Sequence, residues 1–154
     1  MKNKSLSTLI ISILIPIAAG SISALLSGNM GMYSALNKPP LSPPGFLFPI
    51  VWMILYILMG ISSYLIYTSQ NPDSPKALKT YALQLGINFF WSIIFFGFSR
   101  FFLSFLWLLL LIAVIIMMIR QFMKISRAAA YLQIPYLLWC FFAAYLNLMI
   151  YRMN

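Results

Sequence analysis

Histidine is absent from this sequence, and Asp73 is its only acidic side chain. General acid/base catalysis needs a titratable group beside the substrate, and metal-assisted hydrolysis needs several imidazole or carboxylate ligands. Neither set exists here. Haem iron would find no imidazole, leaving only Met, Cys140 or Tyr as axial candidates. Cys140 is the sole cysteine, which excludes an intrachain disulfide and any thiolate metal cluster. Carriers coupled to protons or ions place ionisable residues in mid-span, and this chain places none there. No metal site is expected, and no cofactor is required.

What fills the space instead is apolar. Of 154 residues 63% are hydrophobic and only 7% charged, and the mean hydropathy is +0.95, far outside the range of soluble domains. An all-α integral membrane protein is expected, because a helix satisfies every backbone hydrogen bond within one segment. Spans of roughly 20 residues fit at about 6–26, 49–68, 77–98, 101–123 and 128–151, which makes 1–154 a single five-helix transmembrane domain. The first apolar run is too long for a signal peptide and lacks a typical cleavage site. The ten Lys and Arg give a formal charge of +9, but they stand at the ends of apolar runs, where they anchor to headgroups. The partner they imply is the lipid bilayer, and nucleic acid is not expected.

Lys and Arg also orient the chain. One side holds Lys2, Lys4, Lys76, Lys79, Arg120, Lys124 and Arg127; the other holds Lys38, Arg100 and Arg152. The positive-inside rule puts the amino terminus in the cytoplasm and the first loop outside. The many Ile, Lys and Asn residues and the lack of a targeting segment point to a bacterial cytoplasmic membrane.

The first loop, about 27–47, runs into KPPLSPPGFLFPIVW at Lys38 to Trp52, which holds five prolines. Each proline fixes φ and removes a donor, so the segment should be stiff and ordered. In the first span Ser12, Pro16, Gly20, Ser23 and Ser27 form a face of small residues for close helix packing. In the second, which Pro49 should open, Trp52, Tyr56, Met59, Ser63 and Tyr67 share a face. The third carries Tyr81, Gln84, Asn88, Trp91 and Phe95 at helical spacing, with Ala82 and Gly86 as a small pair on another side. The fourth is Leu, Ile and Met nearly throughout, the composition of a lipid-facing helix. The fifth should kink at Pro135 and aligns Tyr136, Trp139, Ala143 and Asn147.

Taken together, these stripes predict a cavity beneath the loop lined by Tyr33, Trp52, Tyr56, Gln84, Asn88, Trp91, Tyr136, Trp139, Ala143 and Asn147. Aromatic faces with a few amides and hydroxyls suit a large, planar, mostly apolar ligand.

KPPLSPPGFLFPIVWMILYILMG at Lys38 to Gly60, NFFWSIIFFG at Asn88 to Gly97 and PYLLWCFFAAYLN at Pro135 to Asn147 resemble, in that order, the translocator protein and tryptophan-rich sensory protein family. The resemblance covers essentially the whole chain. It implies a five-helix bundle, commonly a homodimer, that binds protoporphyrin IX and isoquinoline or benzodiazepine-type ligands under its first loop. It also implies a link to light-dependent porphyrin degradation, with Trp52 and Trp139 at the positions associated with stacking and with electron donation. Asn88 and Trp91 match the polar and aromatic pair of the third helix, and Ala143 the small residue beside the ligand. On this reading the propionates point to the loop mouth, where Lys38 is the nearest cation. Leu41 and Ser42 replace a tryptophan and histidine common in the family, and Leu148 and Met149 replace tyrosines of the sterol-associated motif, so neither role carries over. Two rival readings are a passive carrier or exporter of tetrapyrroles or other apolar metabolites, and an assembly protein whose aromatic stripes are only core.

Overall fold

A computed structural model describes residues 5–28 and 30–154. Lys2 and Lys4, used above for orientation, and Asn29 of the loop lie outside the described residues. Among the described residues five helices are long and apolar enough to cross a membrane, and none forms a strand. The chain is an integral membrane protein with an all-helical fold. Leu6 at 71%, Leu25 at 81% and Leu138 at 62% exposure belong to a wide belt of bare apolar side chains, which lipid covers at no cost.

Helix α1 (Leu6–Ser27) starts where Ser5 Oγ accepts from the Thr8 amide at 3.1 Å and ends on Gly28, whose φ of 72° is the left-handed cap that glycine adopts without a Cβ penalty. A short 3-10 helix, Met30–Ala35, lies inside the segment expected to be irregular. The proline stretch is ordered by its own side chains: Tyr33 donates to Pro43 O at 2.9 Å, Ser42 to Pro39 O at 2.8 Å, and Tyr145 of the last helix to Pro40 O at 3.3 Å. Asn154 Nδ2 donates to Asn37 O at 2.9 Å, so the loop is also tied to the carboxyl end.

Helix α2 (Leu47–Tyr67) begins two residues before Pro49, which the first turn tolerates because its N–H groups have no intrahelical partner. Helix α3 (Ser74–Ser92) carries Pro75 in its first turn and continues into a π-helical turn, Ile93–Gly97. Helix α4 (Phe101–Met123) follows. The fifth span is two helices, α5 (Arg127–Leu132) and α6 (Ile134–Met153). The break falls on Gln133 because Pro135 has no N–H to return to the Tyr131 carbonyl. Hydrogen bonds join the helices: Ser62 Oγ to Ala129 O at 2.7 Å links α2 to α5, and Trp107 Nε1 to Ile87 O at 2.7 Å links α4 to α3.

The lipid-facing expectation holds for one side of α4, where Leu103, Leu106, Leu110 and Met117 are exposed, but the other side is core. Leu108, Leu111, Ile115, Met118 and Phe122 are all at most 2% exposed and pack against α3, α5 and α6. A helix apolar on every face carries no signal that separates lipid from protein. The peripheral helix is α1, which packs mainly on α2 through glycines. A Cβ on Gly60 would overlap the Ile13 backbone and stand 2.7 Å from Ser12 O. Backbone cannot step aside as a side chain can. Gly60→Ala should therefore force α1 from α2 and cost about 1–3 kcal/mol, read as a lowered thermal midpoint in detergent; an unchanged midpoint would show that the two helices are not clamped there.

Candidate functional site

The α1–α2 clamp closes the lower part of the bundle. Toward the loop end lies a cavity of about 240 Å³. α1 lines it with Ile17, Gly20, Ser21, Ser23 and Ala24, and α2 with Phe48, Pro49, Trp52, Met53 and Tyr56. Asn88, Trp91 and Ser92 of α3, Phe95 and Phe96 of the π-turn, and Ala143, Leu146, Asn147 and Ile150 of α6 complete the wall, with Tyr33 as lid. Among the described residues no charged side chain lines it. The wider π-turn inserts one extra residue per turn, which is why both Phe95 and Phe96 point inward at 3% and 9% exposure.

Most polar atoms of the wall are already engaged. Asn147 Oδ1 accepts from Trp91 Nε1 at 3.1 Å and its Nδ2 donates to Phe101 O at 2.8 Å, so this amide holds an indole in place. Trp91 then stacks on Phe95 with centroids 5.4 Å apart. Ser23 Oγ donates to Phe89 O, and Ser27 and Ser92 hydroxyls meet at 3.1 Å. Asn88 Nδ2 donates to the Tyr136 hydroxyl at 2.8 Å, and that hydroxyl donates to Gln84 Oε1 at 2.7 Å. This relay fixes the Asn88 amide from behind.

Seven of the ten expected residues thus meet at the cavity: Tyr33, Trp52, Tyr56, Asn88, Trp91, Ala143 and Asn147. Three do not line it. Gln84 at 0% and Tyr136 at 1% exposure stand behind Asn88 as its support. Trp139 packs edge-on against Phe48 at 5.9 Å and at a tilt against Phe142 at 5.4 Å, and it is Phe48 rather than Trp139 that stands on the wall. The indoles on the wall are Trp52 and Trp91, and Trp52 leans on Tyr56 at 5.6 Å. Lys38 is likewise not free at the mouth: its ammonium donates to the carbonyls of Tyr33 at 3.0 Å, Leu36 at 3.0 Å and Ser34 at 3.3 Å, and lies 4.9 Å from the centre of the Tyr33 ring. It ends the 3-10 helix and holds the lid. Burial raises the Tyr33 pKa above its ordinary value, so the lid hydroxyl stays a neutral donor.

Sequence reasoning missed the α1 wall. Its small-residue face reads as a packing face, and it does pack, since a Cβ on Gly20 would overlap the Tyr56 ring. The same absence of side chains leaves the space above it open.

Three relatives place this architecture. The chain is 32% identical to the tryptophan-rich protein TspO of Chlorobaculum tepidum, over 99% of each chain. It is 33% identical to the tryptophan-rich sensory protein of Cereibacter sphaeroides, over 79% of this chain and 76% of that one. It is 39% identical to the translocator protein of Ovis aries, over 79% and 72%. The model of the TspO/MBR family matches residues 12–152. With five apolar spans and near-complete coverage, the chain belongs to the TspO/MBR family.

Proposed function

We propose that this protein is a membrane receptor or sensor that takes a planar, largely apolar small molecule into the cavity under its first loop, with protoporphyrin IX as the expected ligand and isoquinoline or benzodiazepine-type compounds as competitors. The observation that carries this reading is an uncharged cavity walled by aromatic rings, with two amides, Asn147 engaged by Trp91 and Asn88 held from behind by Tyr136 and Gln84. Rings offer stacking area and the Asn88 amide offers orientation, the composition of small-molecule sites generally. The names of relatives as sensory and translocator proteins support the receptor reading.

At about 240 Å³ the cavity falls below the range of roughly 300–1,000 Å³ of sites for drug-sized ligands. A tetrapyrrole therefore enters with displacement of the Tyr33 lid and of side chains such as Trp52 and Phe48. Binding consequently costs reorganisation, and a smaller bicyclic compound pays less of it. The expected setting is a bacterial cytoplasmic membrane with the amino terminus inside and the loop outside, functioning as a homodimer.

Photodegradation of the bound porphyrin would draw one electron from an indole to the excited ring, with dioxygen as oxidant, and needs no acid/base pair. Trp52 lines the cavity and Trp139 stands behind Phe48, so their roles separate. Trp52→Phe should remove most of the light-dependent product, whereas Trp139→Phe should leave more of it, with dark binding retained in both. Illumination of porphyrin-loaded variants with absorption read at intervals tests this; equal product from Trp52→Phe and the parent protein would end the indole role.

A further inference from the structure

Toward the loop the cavity is shut. Tyr33 covers it at 6% exposure with its hydroxyl on Pro43 O, and Lys38 fixes the turn that carries Tyr33. Phe95, Phe96 and Ile150 of the same wall are at most 9% exposed. Toward one side it is not shut. Among the described lining residues Ser21 of α1 and Pro49 and Met53 of α2 alone are exposed, Met53 at 44%. All three flank a single seam, between the loop-side halves of α1 and α2.

Register and bonding make that seam the easiest to part. Gly20 meets the Tyr56 ring and Gly60 meets Ile13, which for antiparallel helices puts residues 21–27 level with residues 49–55. Beyond the Gly20–Tyr56 contact α1 offers the cavity only the short side chains of Ser21, Ser23 and Ala24. Met53 on α2 is unbranched and adapts its shape readily. Side-chain hydrogen bonds tie this half of α1 to α3, from Ser23 to Phe89 O and between Ser27 and Ser92. Among the described residues none ties it to α2. Parting the two helices here therefore breaks no side-chain hydrogen bond, and lipid tails replace the apolar contacts that are lost. Ser21 stands six residues before the end of α1 at Ser27, about 9 Å along the axis at about 1.5 Å per residue. The seam thus opens within the loop-side leaflet.

We propose that uncharged planar guests reach this cavity from the bilayer, passing between α1 and α2 through a lateral portal at Ser21, Pro49 and Met53 while the Tyr33 lid stays shut. The proposal rests on the reading of the cavity as a small-molecule site. It sets the class of guest along with the route. A compound must first dissolve in hydrocarbon, so a neutral bicyclic amide is admitted, whereas its carboxylate analogue is held at the headgroups by the cost of burying charge.

Stopped-flow mixing of a neutral isoquinoline carboxamide with the full chain in phosphatidylcholine vesicles, followed by tryptophan quenching, gives the rates of association and dissociation. Two staples separate the routes. Ser21→Cys with Met53→Cys, bridged by a flexible bis-methanethiosulfonate, closes the portal. Asn37→Cys with Asn154→Cys, bridged in the same way, pins the loop where the Asn37 amide donates to Asn154 Oδ1 at 3.1 Å. Cys140 is 0% exposed and takes no bridge. The portal staple should slow both rates about tenfold, because a gate acts on entry and exit alike, and the loop staple should leave them within about twofold. Dithiothreitol should reverse the first effect. A portal staple without effect, or a loop staple that slows entry as much, would overturn the lateral route. Absence of saturable quenching in the unstapled protein would instead reject the small-molecule reading, and the opening is then read without a guest. Phosphatidylcholine brominated on the loop-side part of its chains should quench the wall indoles less once the portal is stapled, and unreduced quenching would overturn the portal.

Discussion

Replacing Ala143 with Phe should cost the cavity its ligand while leaving the bundle folded. Ala143 is 8% exposed on α6 and its methyl group faces the cavity. A phenyl ring built there has open space rather than packed core to enter, so overpacking strain is small, and the ring gains contacts that the void lacked. The same ring occupies volume any planar guest would need. A loss of about 3 kcal/mol in binding corresponds to more than a hundredfold in Kd, and that is the expected scale for protoporphyrin IX in the dark. Ala143→Val, which adds far less bulk, should fall between the two. Unchanged affinity in Ala143→Phe, at an unchanged thermal midpoint, would move the binding site away from α6.

Tyr136→Phe should produce a large stability loss for the deletion of a single atom. Among the described residues the Tyr136 hydroxyl alone joins Asn88 Nδ2 to Gln84 Oε1, and all three side chains are at most 6% exposed. Its removal leaves two buried polar atoms unpaired, each costing about 1–3 kcal/mol. Gln84 Nε2 is already without a partner, so Gln84 would then be a wholly unsatisfied amide in an apolar interior. A second substitution separates this cause from lost packing. Adding Gln84→Met to Tyr136→Phe deletes that amide at similar volume and should restore part of the lost stability, a coupling of the kind double-mutant cycles read directly. Thermal or denaturant unfolding in detergent measures both steps. Tyr136→Phe within about 0.5 kcal/mol of the parent, the spread of neutral surface changes, would mean that the relay is not satisfied as described. Ligand affinity should fall as well, since the Asn88 amide loses the group that fixes its orientation.

The five spans were legible because hydrocarbon imposes length and apolarity on a helix with little tolerance. The α3 stripe was legible for a related reason: Gln84 and Asn88 cannot face lipid unpaired, so they named the interior side of their helix. The same logic had no purchase on α4, whose side chains are apolar all round and whose central position is decided by packing alone. Nor does any residue type announce the π-turn at Ile93–Gly97, although that turn brings Phe96 onto the wall. Gln84, Tyr136 and Trp139 share faces with residues of the wall, yet periodicity resolves a face and not a depth. The first two lie one layer behind Asn88 and the third behind Phe48. Pro135 marked a distortion in the fifth span, and the missing N–H turned it into a break at Gln133. Lys38, read as a cation waiting at the mouth, is consumed by three carbonyls that end a helical turn the sequence did not display.

The central claim is that the aromatic cavity takes up a planar apolar guest, and a dark titration tests it most directly. Purified protein is titrated with protoporphyrin IX while tryptophan fluorescence and the porphyrin absorption band are followed, in parallel with the Ala143→Phe variant. Trp52 and Trp91 stand on the wall, so the account predicts saturable quenching with a matching shift of the porphyrin band in the parent protein, and neither in the variant. Quenching that rises linearly without saturation, or that is the same in both proteins, would contradict it and leave the aromatic stripes as core.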